Sequence, residues 1–328
     1  MPLLRRQFIG LASGALAAPF IPRSAWSQLQ SYPNKVIKIV VPFPAGGPTD
    51  LVARLAGQCL SSALGQNAII ENVAGAGGTI GSQAVARANA DGYTLLLGGT
   101  NSNAITAAFY KNLSYDPIKD FAPIAAVGVD SSVLVVTPTV PANTIQEFIQ
   151  YLRSNPGKLT CGAPVGISPH AMVAFFMVRS GTKMVFVPYR GGAPLITDLL
   201  GGQVQMSIGA KATLLPHVQA GKLRALAVTS DGRWPELPDV PTMRESGFPE
   251  LTAYQWFMLL APAKTPADVI DKLNVAINTG LQAPDLRASL IKLGVETKIH
   301  TPQELQKIVL AEAQQWHAIV TSAGIKID

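Results

Sequence analysis

From Val36 onward the chain alternates short apolar runs with longer stretches of helical period. Residues 36–43 have the continuous apolar character of a buried strand, and residues 49–64 place Leu51, Val52, Leu55 and Leu60 at helical spacing. A second strand is expected at 68–72. A glycine-rich turn then leads into a helix around 80–87, and a third strand is expected at 93–98. Repeated strand–helix units of this length predict a parallel sheet covered by helices on both faces.

A second series begins near 133–137. Thr144 and Glu147 form a capping-box pattern that opens a helix running to about Arg153. Strands are expected at 159–163, 184–188, 204–208, 223–229 and 254–260, with intervening helices ended by glycines such as Gly201-Gly202. Two further helices are signalled by Thr265-Pro266-Ala267-Asp268 and Thr301-Pro302-Gln303-Glu304, each a cap residue before proline with an acid in the first turn. The second of these buries a stripe of Leu305, Ile308, Val309, Trp316 and Ile319.

The pattern is most informative where two strands give way to helices. Between the first strand and its helix stands Phe43-Pro44-Ala45-Gly46-Gly47-Pro48-Thr49-Asp50. The first amides of a helix have no intrahelical partner, and the helix dipole favours negative charge there. Gly46 and Gly47 allow close approach to the backbone, and Thr49 adds a hydroxyl. This junction alone is as well explained by an ordinary turn as by an anion site. After the next strand, Gly75-Ala76-Gly77-Gly78-Thr79-Ile80-Gly81 repeats the arrangement. Its glycines miss the dinucleotide-binding spacing because position 80 is Ile, and there is no Walker lysine. Two such junctions on adjacent parallel strands favour a small-anion site in the crevice at the strands' carboxyl ends.

Composition adjusts this picture. The 328 residues are 48% hydrophobic and 14% charged, enough apolar content for two packed domains. Residues 1–27 have the form of an export signal to the periplasm: Arg5-Arg6 in a twin-arginine-like setting, an apolar run from Phe8 to Phe20, and Ala25-Trp26-Ser27 at a cleavage site. Removing them takes away Arg5, Arg6 and Arg23 and no acid, so the net charge falls from +6 to +3. That balance is too mild and too scattered for nucleic acid, and no membrane insertion of the mature chain is expected. Cys59 and Cys161 each lie in an apolar segment, where lone buried thiols are common, although export would permit a disulfide.

Enzyme constellations are missing from the sequence. His170, His217, His300 and His317 show no metal-ligand spacing, and there is no Gly-x-Ser-x-Gly elbow. Neither a cofactor nor a metal is expected. An enzyme using the glycine loops for a phosphorylated substrate stands as an alternative, weakened by the absent lysine and acid–base pair.

The chain resembles the substrate-binding component of tripartite tricarboxylate transporters, the Bug family. The likeness runs through 41–50, Glu71-Asn72 with 75–81, Asp91-Gly92-Tyr93-Thr94, Tyr115-Asp116-Pro117, Lys119-Asp120-Phe121, Val187-Pro188-Tyr189-Arg190-Gly191-Gly192-Ala193-Pro194 and Leu237-Pro238-Asp239-Val240-Pro241-Thr242. It implies a type II periplasmic-binding-protein fold: two α/β lobes, 28–128 with 255–328 and 129–254, joined by two crossing strands around a ligand cleft. It also implies a periplasmic receptor, not an enzyme, that captures a small carboxylate for inner-membrane transporter subunits; a monomer is the default state. A ligand-sensing role on the same fold is the alternative.

In the first lobe the resemblance assigns ligand binding to Phe43, Ala45, Gly46, Gly47, Thr49, Asp50, Ala76, Gly77, Gly78 and Thr79. In the second it points to Gly166, Ile167, Ser168, His170, Tyr189, Arg190, Gly209 and Lys211. His170 is as readily a structural histidine, and Tyr189 and Arg190 as readily hinge packing and surface charge. Residues 205–211 carry no acid where amino-acid-binding members place one. This implies a ligand without an ammonium group, a dicarboxylate or aromatic carboxylate, with a second anionic or polar end near Lys211. Lys211 on a solvated face is the competing reading.

Overall fold

The strand–helix alternation folds into a mixed α/β structure in which two antiparallel strands cross between the parallel ends of the sheet. The computed structural model describes residues 32–110 and 112–325, so the expected export signal lies outside the described residues. The chain opens with β1 (Ile37–Val41), α1 (Pro48–Leu64), β2 (Ala68–Asn72), a 3-10 turn (Ala76–Gly78), α2 (Thr79–Ala86) and β3 (Thr94–Gly99). A π-helical turn (Thr100–Ala104) runs into the short α3 (Ile105–Phe109), and the chain then extends as β4 (Phe121–Val136). There follow α4 (Ile145–Ser154), β5 (Thr160–Pro164), α5 (Ser168–Ser180), β6 (Val185–Tyr189), α6 (Gly192–Leu200), β7 (Met206–Ala210), α7 (Lys211–Gln219) and β8 (Arg224–Val228). The chain returns through β9 (Tyr254–Pro262) to α8 (Ala267–Gly280), α9 (Pro284–Lys292) and α10 (Pro302–Ala323).

The strands lie in the order β2-β1-β3-β9-β4-β7-β5-β6, with β8 also on β4. The expected parallel sheet forms at both ends: β1 pairs in parallel with β2 and β3, and β5 with β6 and β7. The middle is antiparallel, because β4 and β9 run against each other and against their neighbours. β4 spends residues 121–131 on β9, then residues 132–136 on β7 and β8. Its first part escapes a reading by period because Pro123 and Gly128 interrupt the pattern. The register shifts beside each of them, as expected where proline cannot donate and glycine has no side chain to pack.

Helix ends follow their caps. The Thr301 hydroxyl accepts from the Glu304 amide while the Glu304 carboxylate accepts from the Thr301 amide, closing a capping box at α10. Thr265 behaves differently from expectation: its hydroxyl donates to the Pro262 carbonyl, and α8 starts one residue beyond Pro266.

Two principal cores lie on either side of the crossing strands. Ile39, Leu97, Ile124 and Phe257 belong to one, and Phe148, Phe176, Ile208 and Leu134 to the other. α10 bridges the two sides. Its Leu305 and Val309 pack with Leu96 and Trp256 of the first side, whereas Trp316, Ile319 and Val320 pack with Phe148 and Phe176 of the second. Ile105 and Phe109 of α3 also join the second core. Packing therefore carries α3 and the end of α10, both assigned by chain order to the first lobe, onto the second. Cys59 and Cys161 are free buried thiols, one in each core, and burial pushes them up to about 11 and about 12.

Candidate functional site

Because β1 and β2 are parallel and in register to their last residues, Val41 opposite Asn72, the turns that follow leave the same sheet edge. They pack against each other. The Asn72 side-chain amide donates to the Phe43 carbonyl at 3.2 Å, and a Cβ on Gly78 would stand 3.2 Å from the Phe43 ring. Both turns deliver a helix N-terminus to this edge, α1 capped at Gly47 and α2 at Gly78, neither carrying a side-chain cap. The third parallel strand, β3, ends at the same edge in the π-helical turn.

Asp50 holds the first turn in shape. Its carboxylate accepts from the Gly46 amide at 2.9 Å, from Asn72 at 3.0 Å, and from both ends of the Arg54 guanidinium at 3.1 and 3.2 Å. Burial works to raise its pKa, but these donors outweigh burial and hold the carboxyl below its usual value. Asp50 is thus a positioning residue whose charge is already matched, and the Gly46 amide is engaged with it. The Gly47, Thr49 and Asp50 amides, at the start of α1, lie ahead of the helical hydrogen-bond ladder and are open to a ligand. In the second turn the Thr79 hydroxyl donates to the Ala76 carbonyl at 3.0 Å, closing the turn on itself.

The two sides meet at Gly77 and Gly166. Gly77 has φ 64°, and a Cβ there would stand 2.7 Å from the Tyr110 hydroxyl and 3.5 Å from the Gly166 carbonyl. That conformation and that space favour glycine. Next to this contact, the Asn101 side-chain oxygen accepts from the Ser168 amide at 3.0 Å. A residue of the first side thereby occupies the N-terminus of α5, where Ile167 is the cap residue.

Other second-side candidates are engaged within their own surroundings. His170 is stacked between Phe109 and Phe186, with ring centroids 5.7 and 4.7 Å away, and burial lowers its pKa. A neutral imidazole in that setting brings no charge to an anion. The Tyr189 hydroxyl donates to Asp198 at 2.6 Å, Arg190 is exposed, and Gly209 lies against Leu214. The Lys211 ammonium pairs with Glu236 at 3.0 Å and lies 5.0 Å from the centre of the Trp234 ring. Burial works to raise the Glu236 pKa, but the Lys211 ammonium outweighs it and leaves that carboxylate lowered. Among the described residues, no group of three or more His, Cys, Asp or Glu side chains is placed to hold a metal ion.

A family model for the tripartite tricarboxylate transporter family receptor matches residues 52–325. The chain belongs to this family. Its members are receptors in transport and not enzymes, and the chain has their type II periplasmic-binding-protein fold. The periplasmic binding protein BugD is 36% identical with a TM-score of 0.79, over 90% of this chain and 99% of that one. An R. palustris protein solved with adipate is 34% identical with a TM-score of 0.82, over 90% and 99% of the two chains. MatC from Rhodopseudomonas palustris, with bound malate, is 33% identical with a TM-score of 0.79, over 88% and 100%.

Within this receptor fold, sequence reasoning missed three residues that shape the candidate site. Asn72, at the end of β2, clamps the first turn through Phe43 and Asp50, Tyr110 covers Gly77, and Asn101 reaches the α5 N-terminus. Only the run Thr100-Asn101-Ser102-Asn103, four consecutive polar residues after a buried strand, offered a signal. All four are buried.

Proposed function

We propose that this chain is a periplasmic receptor that closes its two sides on a small carboxylate and presents it to inner-membrane transporter subunits. The observation that carries the reading is the pair of uncapped helix N-termini, α1 and α2, brought side by side by parallel strands, with the turn before α2 meeting the Gly166 loop across the seam. Backbone amides at two helix starts suit the one group that different carboxylates share. By chain order the first lobe is 28–128 with 255–328 and the second 129–254, with α3 and the end of α10 packed on the second, and closure hinges on β4 and β9.

The ligand's far end meets the second lobe. Residues 205–211 hold no carboxylate for an ammonium group, which favours a dicarboxylate or aromatic carboxylate over an amino acid. With Lys211 matched by Glu236, we assign recognition of that end to uncharged groups of the Gly166 and Gly209 segments. The relatives solved with adipate and malate agree with a carboxylate ligand.

Thermal unfolding of the exported chain against malate, adipate, aromatic acids, amino acids and nucleotides tests this. A carboxylate at ~100 times its dissociation constant stabilises the fold by ~2.7 kcal/mol. A midpoint raised by one carboxylate class supports the receptor reading. Midpoints moved only by nucleotides or amino acids contradict it.

A further inference from the structure

Asn101 stands two residues beyond β3, at the sheet edge from which the glycine turns after β1 and β2 also leave. It belongs to the buried polar run Thr100-Asn101-Ser102-Asn103, and the other three members spend their side chains on holding the π-helical turn. The Thr100 hydroxyl accepts from the Trp256 amide at 2.9 Å and donates to the buried Glu312 carboxyl at 2.8 Å. The Asn103 side-chain oxygen accepts from the Gly99 amide at 3.1 Å and from the Ser102 hydroxyl at 2.8 Å. Its nitrogen donates to the Pro117 carbonyl at 2.7 Å. The Asn101 backbone is fixed in the same way, its carbonyl accepting from the Thr106 hydroxyl at 3.0 Å. The whole turn packs against the Ala76–Gly78 turn of the candidate site.

The Asn101 side chain is used differently. It is 7% exposed, and its oxygen accepts from the Ser168 amide at 3.0 Å. α5 has Ile167 at its cap position and no side-chain cap of its own, so Asn101 supplies the cap from a distant part of the chain. That bond fixes which way the carboxamide faces, because only its oxygen can accept an N–H. The nitrogen therefore points away from the α5 amide with two N–H donors, and it bonds to none of the described residues. Nor is it sealed: enclosed side-chain atoms without partners occur at Ser82 and Tyr115, for instance, and the Asn101 nitrogen is not among them. Ser168 lies two residues beyond Gly166, whose carbonyl stands close to Gly77, so the free nitrogen sits where the two sides meet.

We propose that Asn101 reads the far end of the ligand, its oxygen seated on α5 and its N–H groups turned to a second carboxylate. This rests on the receptor reading above and narrows the ligand from a dicarboxylate or aromatic carboxylate to a dicarboxylate. A carboxamide whose acceptor is committed offers only donors, which match a carboxylate. An ammonium group, itself only a donor, finds no acceptor there. A monocarboxylate with an apolar tail leaves the donors unpaired under the closed cleft, which costs affinity. Selection against amino acids then comes from a positioned donor as well as from the missing acid at 205–211.

Calorimetric binding to wild type, N101D and N101A tests this with ligands of matched chain length. One set is malate, succinate, butyrate and 4-aminobutyrate; the other is adipate, hexanoate and 6-aminohexanoate. Asp and Asn cap helices equally well, so N101D keeps the seat on Ser168 while a negative charge replaces the donors. In the set that wild type binds, the diacid is expected to bind at least about tenfold more tightly than the monoacid. N101D should weaken the diacid by about 100-fold, change the monoacid by less than about threefold and tighten the amino acid by about tenfold. N101A should weaken the diacid by about tenfold and leave the monoacid within about threefold, and it decides the question if N101D does not fold. Equal losses for diacid and monoacid would make Asn101 a cap alone and overturn the proposal, as would a diacid bound equally by wild type and both variants. A wild type that binds a monoacid as tightly as the diacid, or aromatic acids only, overturns the proposal and leaves the carboxylate reading standing. One that binds no carboxylate overturns both.

Discussion

The two sides of the proposed cleft meet a ligand with different materials. The first offers main chain: two glycine turns on adjacent parallel strands, each opening a helix without a side-chain cap. The second offers side chains, and three of those singled out in advance already have partners. Tyr189 is bonded to Asp198, Lys211 to Glu236, and His170 is stacked between two phenylalanine rings. Main-chain recognition can be common to many ligands because it uses no residue-specific group. Discrimination must come from the opposite wall, where shape and uncharged polar groups remain once the internal pairs are set aside.

The sharpest way to break this comparison is at Gly77. Gly77→Val puts a branched side chain where φ is 64° and Tyr110 and Gly166 stand across the seam. Affinity for the best carboxylate is expected to fall by about 100-fold, ~2.7 kcal/mol, measured by calorimetry. Unchanged affinity would mean that the Gly77 turn is not part of the binding surface.

Asp50→Ala comes next. It removes the acceptor for Gly46, Asn72 and Arg54 and should cost about 1–3 kcal/mol in denaturant unfolding, with a further loss of affinity as the turn loosens. Its pH signature is specific. A carboxyl held below its ordinary 3.8 contributes stability that is complete above that value and is lost as pH falls through the lower, folded one. The variant should lack that acid limb. An undiminished acid limb would assign it to other groups.

The first-side glycines were legible because backbone geometry limits which residues are permitted. A left-handed turn or a close approach of two chains calls for glycine wherever it occurs, so the spacing of Gly75, Gly77, Gly78 and Gly81 carried information in itself. Capping signals at Thr144 and Thr301 were readable for the same reason, since each acts within its own turn. What escaped the sequence depends on partners distant along the chain. Asp50 becomes a clamp only when Asn72 arrives from the next strand. Lys211 is neutralised by Glu236, which nothing local predicts. β4 was seen only in its second part, since Pro123 and Gly128 break the pattern of a strand that packing nevertheless completes. The end of α10 crosses to the second core because Trp316 finds its pocket there.

Smaller effects sharpen the contrast on the second side. Lys211→Met should change carboxylate affinity by less than about threefold, ~0.65 kcal/mol, because the ammonium is already paired. A tenfold loss would restore Lys211 to the binding surface and require Glu236 to release it. His170→Phe keeps an aromatic ring between Phe109 and Phe186 and should cost less than about 1.5 kcal/mol in unfolding, with affinity unaltered. A clear loss of affinity without loss of stability would make His170 a ligand contact.

The central claim is that a carboxylate is held by main-chain amides at the starts of α1 and α2. An amide-resolved NMR titration of the protein with malate, adipate and the corresponding neutral diamides tests it most directly. The account predicts saturable shifts for a dicarboxylate, largest at residues 47–50 and 77–81, and none from the diamides. Shifts centred on Lys211 and the α7 N-terminus, or diamides binding as tightly as the acids, would contradict it.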